Sequence, residues 1–92
     1  MIRYFKCRDT EALFNGERVR RWGMVTRAAM RKLEWLNAAK DVNDLRAPPG
    51  NRLERLAGDR AGSYSIRIND QWRLCFEWHD GDAWSVEIVD YH

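Results

Sequence analysis

Tyr64-Ser65-Ile66-Arg67-Ile68-Asn69-Asp70-Gln71-Trp72-Arg73-Leu74-Cys75-Phe76-Glu77-Trp78-His79-Asp80-Gly81-Asp82-Ala83-Trp84-Ser85-Val86-Glu87-Ile88 alternates apolar and polar side chains. Successive side chains of a strand point to opposite faces, so this alternation predicts strands with one apolar face. Tyr64, Ile66 and Ile68 alternate with Ser65, Arg67 and Asn69. Trp72, Leu74, Phe76 and Trp78 alternate with Arg73, Cys75 and Glu77, and Trp84, Val86 and Ile88 with Ser85, Glu87 and Val89. Asn69-Asp70 and Asp80-Gly81 fall where tight turns are needed. A two-residue loop at Asp80-Gly81 pairs His79 with Asp82, which sets Arg73 opposite Ile88 and Gln71 opposite Asp90. A three-residue loop moves the register by one step and keeps that neighbourhood. In either case Asp90-Tyr91-His92 returns to the start of the Gln71-Trp72-Arg73 strand.

Working outward, Ile2-Arg3-Tyr4-Phe5 reads as a short first strand. Asp9-Thr10 is placed to cap a short helix through Leu13-Phe14, with Asn15-Gly16 as its stop. Thr26 is placed to cap a longer helix over residues 27–39, with Ala29, Leu33 and Leu36 as its buried stripe and Met30 at the margin. Arg27, Arg31 and Lys32 are expected to give that helix a basic outer face. Pro48-Pro49-Gly50 makes a loop. The expectation is one α+β domain over residues 1–92. It has a small antiparallel sheet of three to four strands plus the N-terminal strand, packed against two helices.

The chain has 92 residues, enough for a single modest core. A hydrophobic fraction of 45% and five tryptophans argue for a folded globule. No apolar run approaches the roughly 18 residues of a membrane span, and the N-terminus has no apolar signal region. A bacterial cytoplasmic location is expected, with Cys7 and Cys75 as reduced thiols lacking metal-ligand spacing. The net charge of +2 hides an asymmetry: residues 1–40 hold ten Lys/Arg against four Asp/Glu, and residues 41–92 hold six against ten. The basic half can face a polyanion while the acidic half points elsewhere or pairs internally. Charge runs are more often solvated faces, so composition alone does not define a nucleic-acid binder.

Three stretches carry more specific information: Leu53-Glu54-Arg55-Leu56-Ala57-Gly58-Asp59-Arg60, Gln71-Trp72-Arg73, and Val86-Glu87-Ile88-Val89-Asp90-Tyr91-His92. Together with Met1-Ile2-Arg3 and the middle helix, they resemble the HigB branch of the RelE/ParE toxin superfamily, closest to its GraT-like members. The resemblance implies a type II toxin–antitoxin toxin, a ribosome-dependent mRNA endoribonuclease that inhibits translation. It implies a HigA/GraA-like helix-turn-helix antitoxin as partner, with operator DNA reached only through that antitoxin. The ribosome and mRNA are the other implied partners; no cofactor, metal or membrane is. Within the same superfamily, a ParE-like toxin poisoning DNA gyrase is the alternative, and an inert antitoxin-binding module a third. The Asp90-Tyr91-His92 terminus favours the nuclease, since a pure binder has no evident need of it.

Cleavage through the RNA 2′-hydroxyl needs a base, a cation for the pentacoordinate phosphate and an acid for the leaving 5′-oxygen. His92 brings an imidazole that titrates near about 6.5 in its free form. A terminal histidine is commonly frayed and idle, but the family uses this terminus in its active site. His79, expected at the far hairpin turn, does not fit a two-histidine mechanism. Tyr91 offers a ring to stack on a base and a phenol for phosphate or ribose, or else covers the sheet edge. Asp90 shares the parity of Ile88, which predicts partial burial and either an orienting or a structural role.

Arg73 is the best single candidate. Its guanidinium matches phosphate oxygens, and on a polar face the fold is not expected to need it; an exposed partner for Glu87 is the plainer reading. Arg52, Arg60 and Arg67 are candidates for RNA-backbone binding, with solvated surface as the alternative for each. Arg18, Arg20 and Arg21 join the basic helix face as a candidate surface for ribosomal RNA. The family's usual Leu-His-x-Leu-Lys-Gly-Asp-Arg stretch departs here, with Glu54 at the histidine position and Ala57 at the lysine position. Glu54 can still act as a base. Loss of such a cation commonly costs about 10²–10³-fold in rate, so a weak or slow nuclease is expected.

Overall fold

The computed structural model describes residues 1–56 and 62–90. Asp80 and Gly81 both take positive φ, 52° and 81°, which closes a tight two-residue hairpin between β3 (Trp72–His79) and β4 (Asp82–Asp90). His79 pairs with Asp82 as expected, and that register continues through Trp78–Ala83 and Glu77–Trp84. It then shifts between Cys75 and Glu77. Ser85, at φ 53°, supplies the extra residue of a β-bulge on the opposite strand.

Beyond the bulge Cys75 faces Glu87, Leu74 faces Ile88, Arg73 faces Val89 and Trp72 faces Asp90. The expected pairs Arg73–Ile88 and Gln71–Asp90 are therefore each one residue out. The bulge also resets the parity of β4, because Ala83 and Val86 are both buried although three residues apart. Trp84, expected inward with Val86 and Ile88, is instead 38% exposed. Asp90 was expected partly buried and is exposed: it keeps the parity of Ile88 but stands at the end of the sheet.

β2 (Ser63–Arg67) pairs with β3, and a two-residue β1 (Glu54–Arg55) pairs with β2, giving an antiparallel sheet in the order β1-β2-β3-β4. The N-terminal segment runs parallel to β4 through isolated bridges Ile2–Ala83 and Phe5–Val86 rather than as a regular strand. Its backbone bonds alternate along β4: Arg3 N–H to Ala83 carbonyl, Val86 N–H to Tyr4 carbonyl, Lys6 N–H to Val86 carbonyl. Where this segment leaves the edge, α1 (Arg8–Phe14) takes over. The Ile88 N–H donates to the hydroxyl of fully buried Thr10 at 3.1 Å, so a backbone donor of β4 finds its partner on the helix. Thr10 is thus inside the helix, and Cys7, not Asp9, precedes it as the cap residue.

α2 (Thr26–Ala38) buries Ala29, Leu33 and Leu36 as its apolar spacing predicts. Thr26 is its first residue rather than its cap, and the hydroxyl donates back to the Trp22 carbonyl at 2.8 Å. The stripe meets Ile66, Leu74, Phe76, Val86 and Ile88 in one core. Each such aliphatic side chain contributes about 1.5–3 kcal/mol when fully buried. Trp22 is completely buried with its ring edge-on to Trp72 at 6.1 Å, whereas Trp35 remains 36% exposed. Cys7 and Cys75 are not joined in a disulfide, and among the described residues no helix is long and apolar enough to cross a membrane.

The charge asymmetry is partly spent inside the fold. Asp82 binds the Met1 amino group at 3.2 Å and the Arg3 Nε at 3.0 Å, and Lys6 reaches Glu87 at 3.4 Å. The hydrogen bonds from Arg3 and the amino terminus hold the Asp82 carboxyl below its ordinary range. A carboxyl depressed in the folded state adds stability above its unfolded pKa of about 3.9, and that stability is lost as pH falls through the lower folded value. Asp82→Asn should therefore loosen the N-terminal segment at neutral pH as acid does in the parent. Faster hydrogen exchange at the Arg3 and Lys6 amides is the readout. Unchanged protection would show that the backbone bonds alone hold the segment.

Candidate active site

Five residues singled out in the sequence lie around the junction of β1, β2, the start of β3 and the end of β4. Arg67 and Arg73 are direct partners across β2 and β3, so both side chains leave the same face. Glu54 pairs with Ser65, and Ser65 with Cys75, which places Glu54 on that face as well. Arg52 immediately precedes this strand pair, and Asp90 stands opposite Trp72, one step beyond the Arg73–Val89 pair. Tyr91, His92 and Arg60 lie outside the described residues, as does Ala57.

Arg73 differs most from its expected setting. It is only 5% exposed. Its Nε donates to Ser65 Oγ at 2.9 Å, and Nη2 donates to the Arg52 carbonyl at 2.6 Å and the Ser65 carbonyl at 3.2 Å. The same Nη2 lies 3.7 Å from Glu54 Oε2. The polar face at this point is thus covered by the segment around Arg52, and the fold does use the charged side chain. A guanidinium can be buried here because its fixed fork of donors meets carbonyls, a hydroxyl and a carboxylate together.

Arg52 contributes by its backbone. It sits at φ 45°, ψ 59°, a left-handed conformation that costs a residue with a side chain on the order of 1–2 kcal/mol. That turn is what presents its carbonyl to Arg73, and its side chain is left exposed. Arg67 is partly exposed and pairs with the fully exposed carboxylate of Asp70. Asp90 accepts from the Gln71 side-chain amide at 3.2 Å. Glu54 keeps roughly half its side chain in solvent, 47%, while paired to Arg73. A carboxylate held by a buried cation and still open to solvent can accept a proton from a ligand hydroxyl.

His79 is at the other end of β3, with its Nε2 3.1 Å from Glu77 Oε1. That carboxyl is held below its ordinary range by hydrogen bonds from Ser85 and His79, a local arrangement of the bulge and turn. A cleft of about 590 Å³ lies along α2, lined by Gly23, Met24, Thr26, Arg27, Met30, Arg31 and Glu34. It includes none of the residues at the sheet end and matches the basic outer face expected of Arg27 and Arg31. Lys32 does not belong to that face. It is half-buried, and its ammonium donates to Asn51 Oδ1. The signal was available in the helical spacing, since position 32 is three residues after Ala29 and four before Leu36, at the margin of the buried stripe.

A four-stranded antiparallel sheet backed by two helices, with an arginine-centred polar cluster where β4 returns to β3, defines a small α+β domain. The sequence profile of the RelE-like toxins of type II toxin–antitoxin systems, HigB, matches residues 4–92. The chain belongs to this HigB-like toxin family. Toxin HigB-1 of Vibrio cholerae serotype O1 is 54% identical over 59 residues, covering 64% of this chain and 62% of that protein. Endoribonuclease HigB of Proteus vulgaris is 33% identical over 61 residues, covering 66% of this chain and 65% of its own length. The chain thus spans a little under two thirds of the length of these relatives.

Proposed function

We propose that this toxin is an endoribonuclease that cuts mRNA on the ribosome by attack of the RNA 2′-hydroxyl on the adjacent phosphorus. The reading is supported above all by the buried Arg73 holding a solvent-open Glu54 carboxylate where the end of β4 meets β3. A base takes the 2′-hydroxyl proton, the 2′-oxygen bonds to phosphorus, and the phosphorus–5′-oxygen bond breaks. The products are a 2′,3′-cyclic phosphate and a 5′-hydroxyl, the latter protonated by an acid. Glu54 and His92 are the two candidates for base, with His92 also the candidate acid. Arg73 supplies positive charge next to the phosphorane and fixes Glu54. Arg52, Arg67 and Arg60 bind backbone phosphates, Tyr91 stacks on a base, and Asp90 orients the end of the chain.

With alanine at position 57 the site has one cation fewer than the pattern it resembles, which supports a slow enzyme. The antitoxin partner implied by the family is proposed to be a helix-turn-helix protein that carries the complex to operator DNA. The deciding experiment maps RNA 5′-ends after incubating a defined mRNA with purified protein, with and without translating ribosomes. Codon-phased cuts that need ribosomes support the reading. Intact mRNA in both samples, with protein that still arrests growth, would overturn it and direct attention to gyrase supercoiling.

A further inference from the structure

We propose that Lys32 of α2 is a phosphate-binding residue of the RNA site, holding the RNA backbone beside the Arg67–Arg73 pair. The inference rests on the endoribonuclease reading and adds a residue from an element that reading does not use. Asn51 is fully buried, and its side-chain amide donates to the carbonyls of Leu45 at 3.2 Å and Ala47 at 3.3 Å. Its Oδ1 is thereby turned to accept from the Lys32 ammonium. The neighbouring Arg52 carbonyl accepts from Arg73 at 2.6 Å. Lys32 and Arg73 are therefore tied to consecutive residues of one segment, and what fixes one helps to fix the other.

The Trp35 ring lies 4.7 Å below the Lys32 ammonium and stiffens the long side chain. One of the three ammonium protons goes to Asn51, and a partly exposed side chain leaves the others for a ligand. Among the described residues no carboxylate lies within ion-pair distance of Lys32. Partial burial first, then the nearby charges of Arg31 and Arg67, lower its pKa, and Arg67 is itself paired to Asp70. A fold that gathers these like charges gains nothing from their mutual repulsion. A polyanion laid across them offsets it, and the RNA backbone is the polyanion this site would meet.

The test is steady-state cleavage on translating ribosomes across a range of salt concentrations. Lys32→Gln removes the charge while keeping a donor for Asn51. It should raise KM for mRNA roughly fivefold, the effect of one ion pair worth about 1 kcal/mol, and leave kcat nearly unchanged. The slope of log kcat/KM against log salt should shrink by about one, the share of a single phosphate contact. Lys32→Arg should restore both quantities. Lys32→Met, which keeps the stem over Trp35, gives the same comparison if the glutamine variant folds poorly. Parental KM and salt slope in folded Lys32→Gln and Lys32→Met would overturn the role of Lys32 alone. Absence of cleavage by the parent protein would overturn the nuclease reading, and this inference with it.

Discussion

Arg73→Ala should lose both stability and RNA cleavage, and the two losses need to be read apart. Truncation removes donors from the Ser65 hydroxyl and from the carbonyls of Ser65 and Arg52, in a place where the parent side chain is 5% exposed. An abandoned buried acceptor costs about 1–3 kcal/mol, and the vacated volume adds to this. We expect a total of about 2–4 kcal/mol. In a domain of this size each kcal/mol moves Tm by about 4–8 °C, so calorimetry will see it easily. Cleavage, normalised to the folded fraction at low temperature, should fall by a further 10²–10³-fold or so, because the charge beside the phosphate and the anchor of Glu54 are both gone. Arg73→Lys separates the two effects. It keeps the charge but not the fork, so it should recover part of the rate while Tm stays depressed. Full activity in folded Arg73→Ala would remove Arg73 from the site and leave it a purely structural residue.

The burial of Arg73 and its structural bonds were not legible in the sequence. Alternation assigned Arg73 to the face away from Leu74 correctly, yet a face of polar parity need not be solvated. Ser65 and Cys75 share that face and are also buried, and small neutral residues beside an arginine were the available sign of a covered surface. The Asp80-Gly81 turn and the Ala29, Leu33, Leu36 stripe were readable because each is enforced locally, by positive φ in one case and helical spacing in the other. The bulge was not, since it turns on Ser85 at φ 53°, where glycine would have announced it and serine does not. One inserted residue then moved every pair from Cys75 to Trp72 and turned Trp84 outward. The two-residue β1 was too short for any periodic signal, although it is what brings Glu54 to Arg73.

His92→Ala should reduce single-turnover cleavage by about 10²–10⁴-fold, the usual contribution of a positioned acid or base, with little change in Tm. The pH profile says which duty is lost. A base must be deprotonated to act, so the rate rises with pH through its pKa. An imidazole base puts that rise near about 6.5 and a carboxylate base near about 4.3 in their unperturbed forms. If His92 is the base, the parent profile rises near neutrality, and His92→Ala removes that limb while Glu54→Gln leaves it in place. If Glu54 is the base, the rising limb disappears in Glu54→Gln. His92→Ala then removes the fall at higher pH, where an acid would have lost its proton. Glu54→Gln carries a second signature, because its carboxylate is paired to Arg73 at 3.7 Å. Loss of that partner should shift the orientation of the arginine and raise KM as well as lower kcat. A variant of His92 that cleaves at the parent rate over the whole pH range would remove the terminal imidazole from the mechanism and leave Glu54 and Arg73 to carry it.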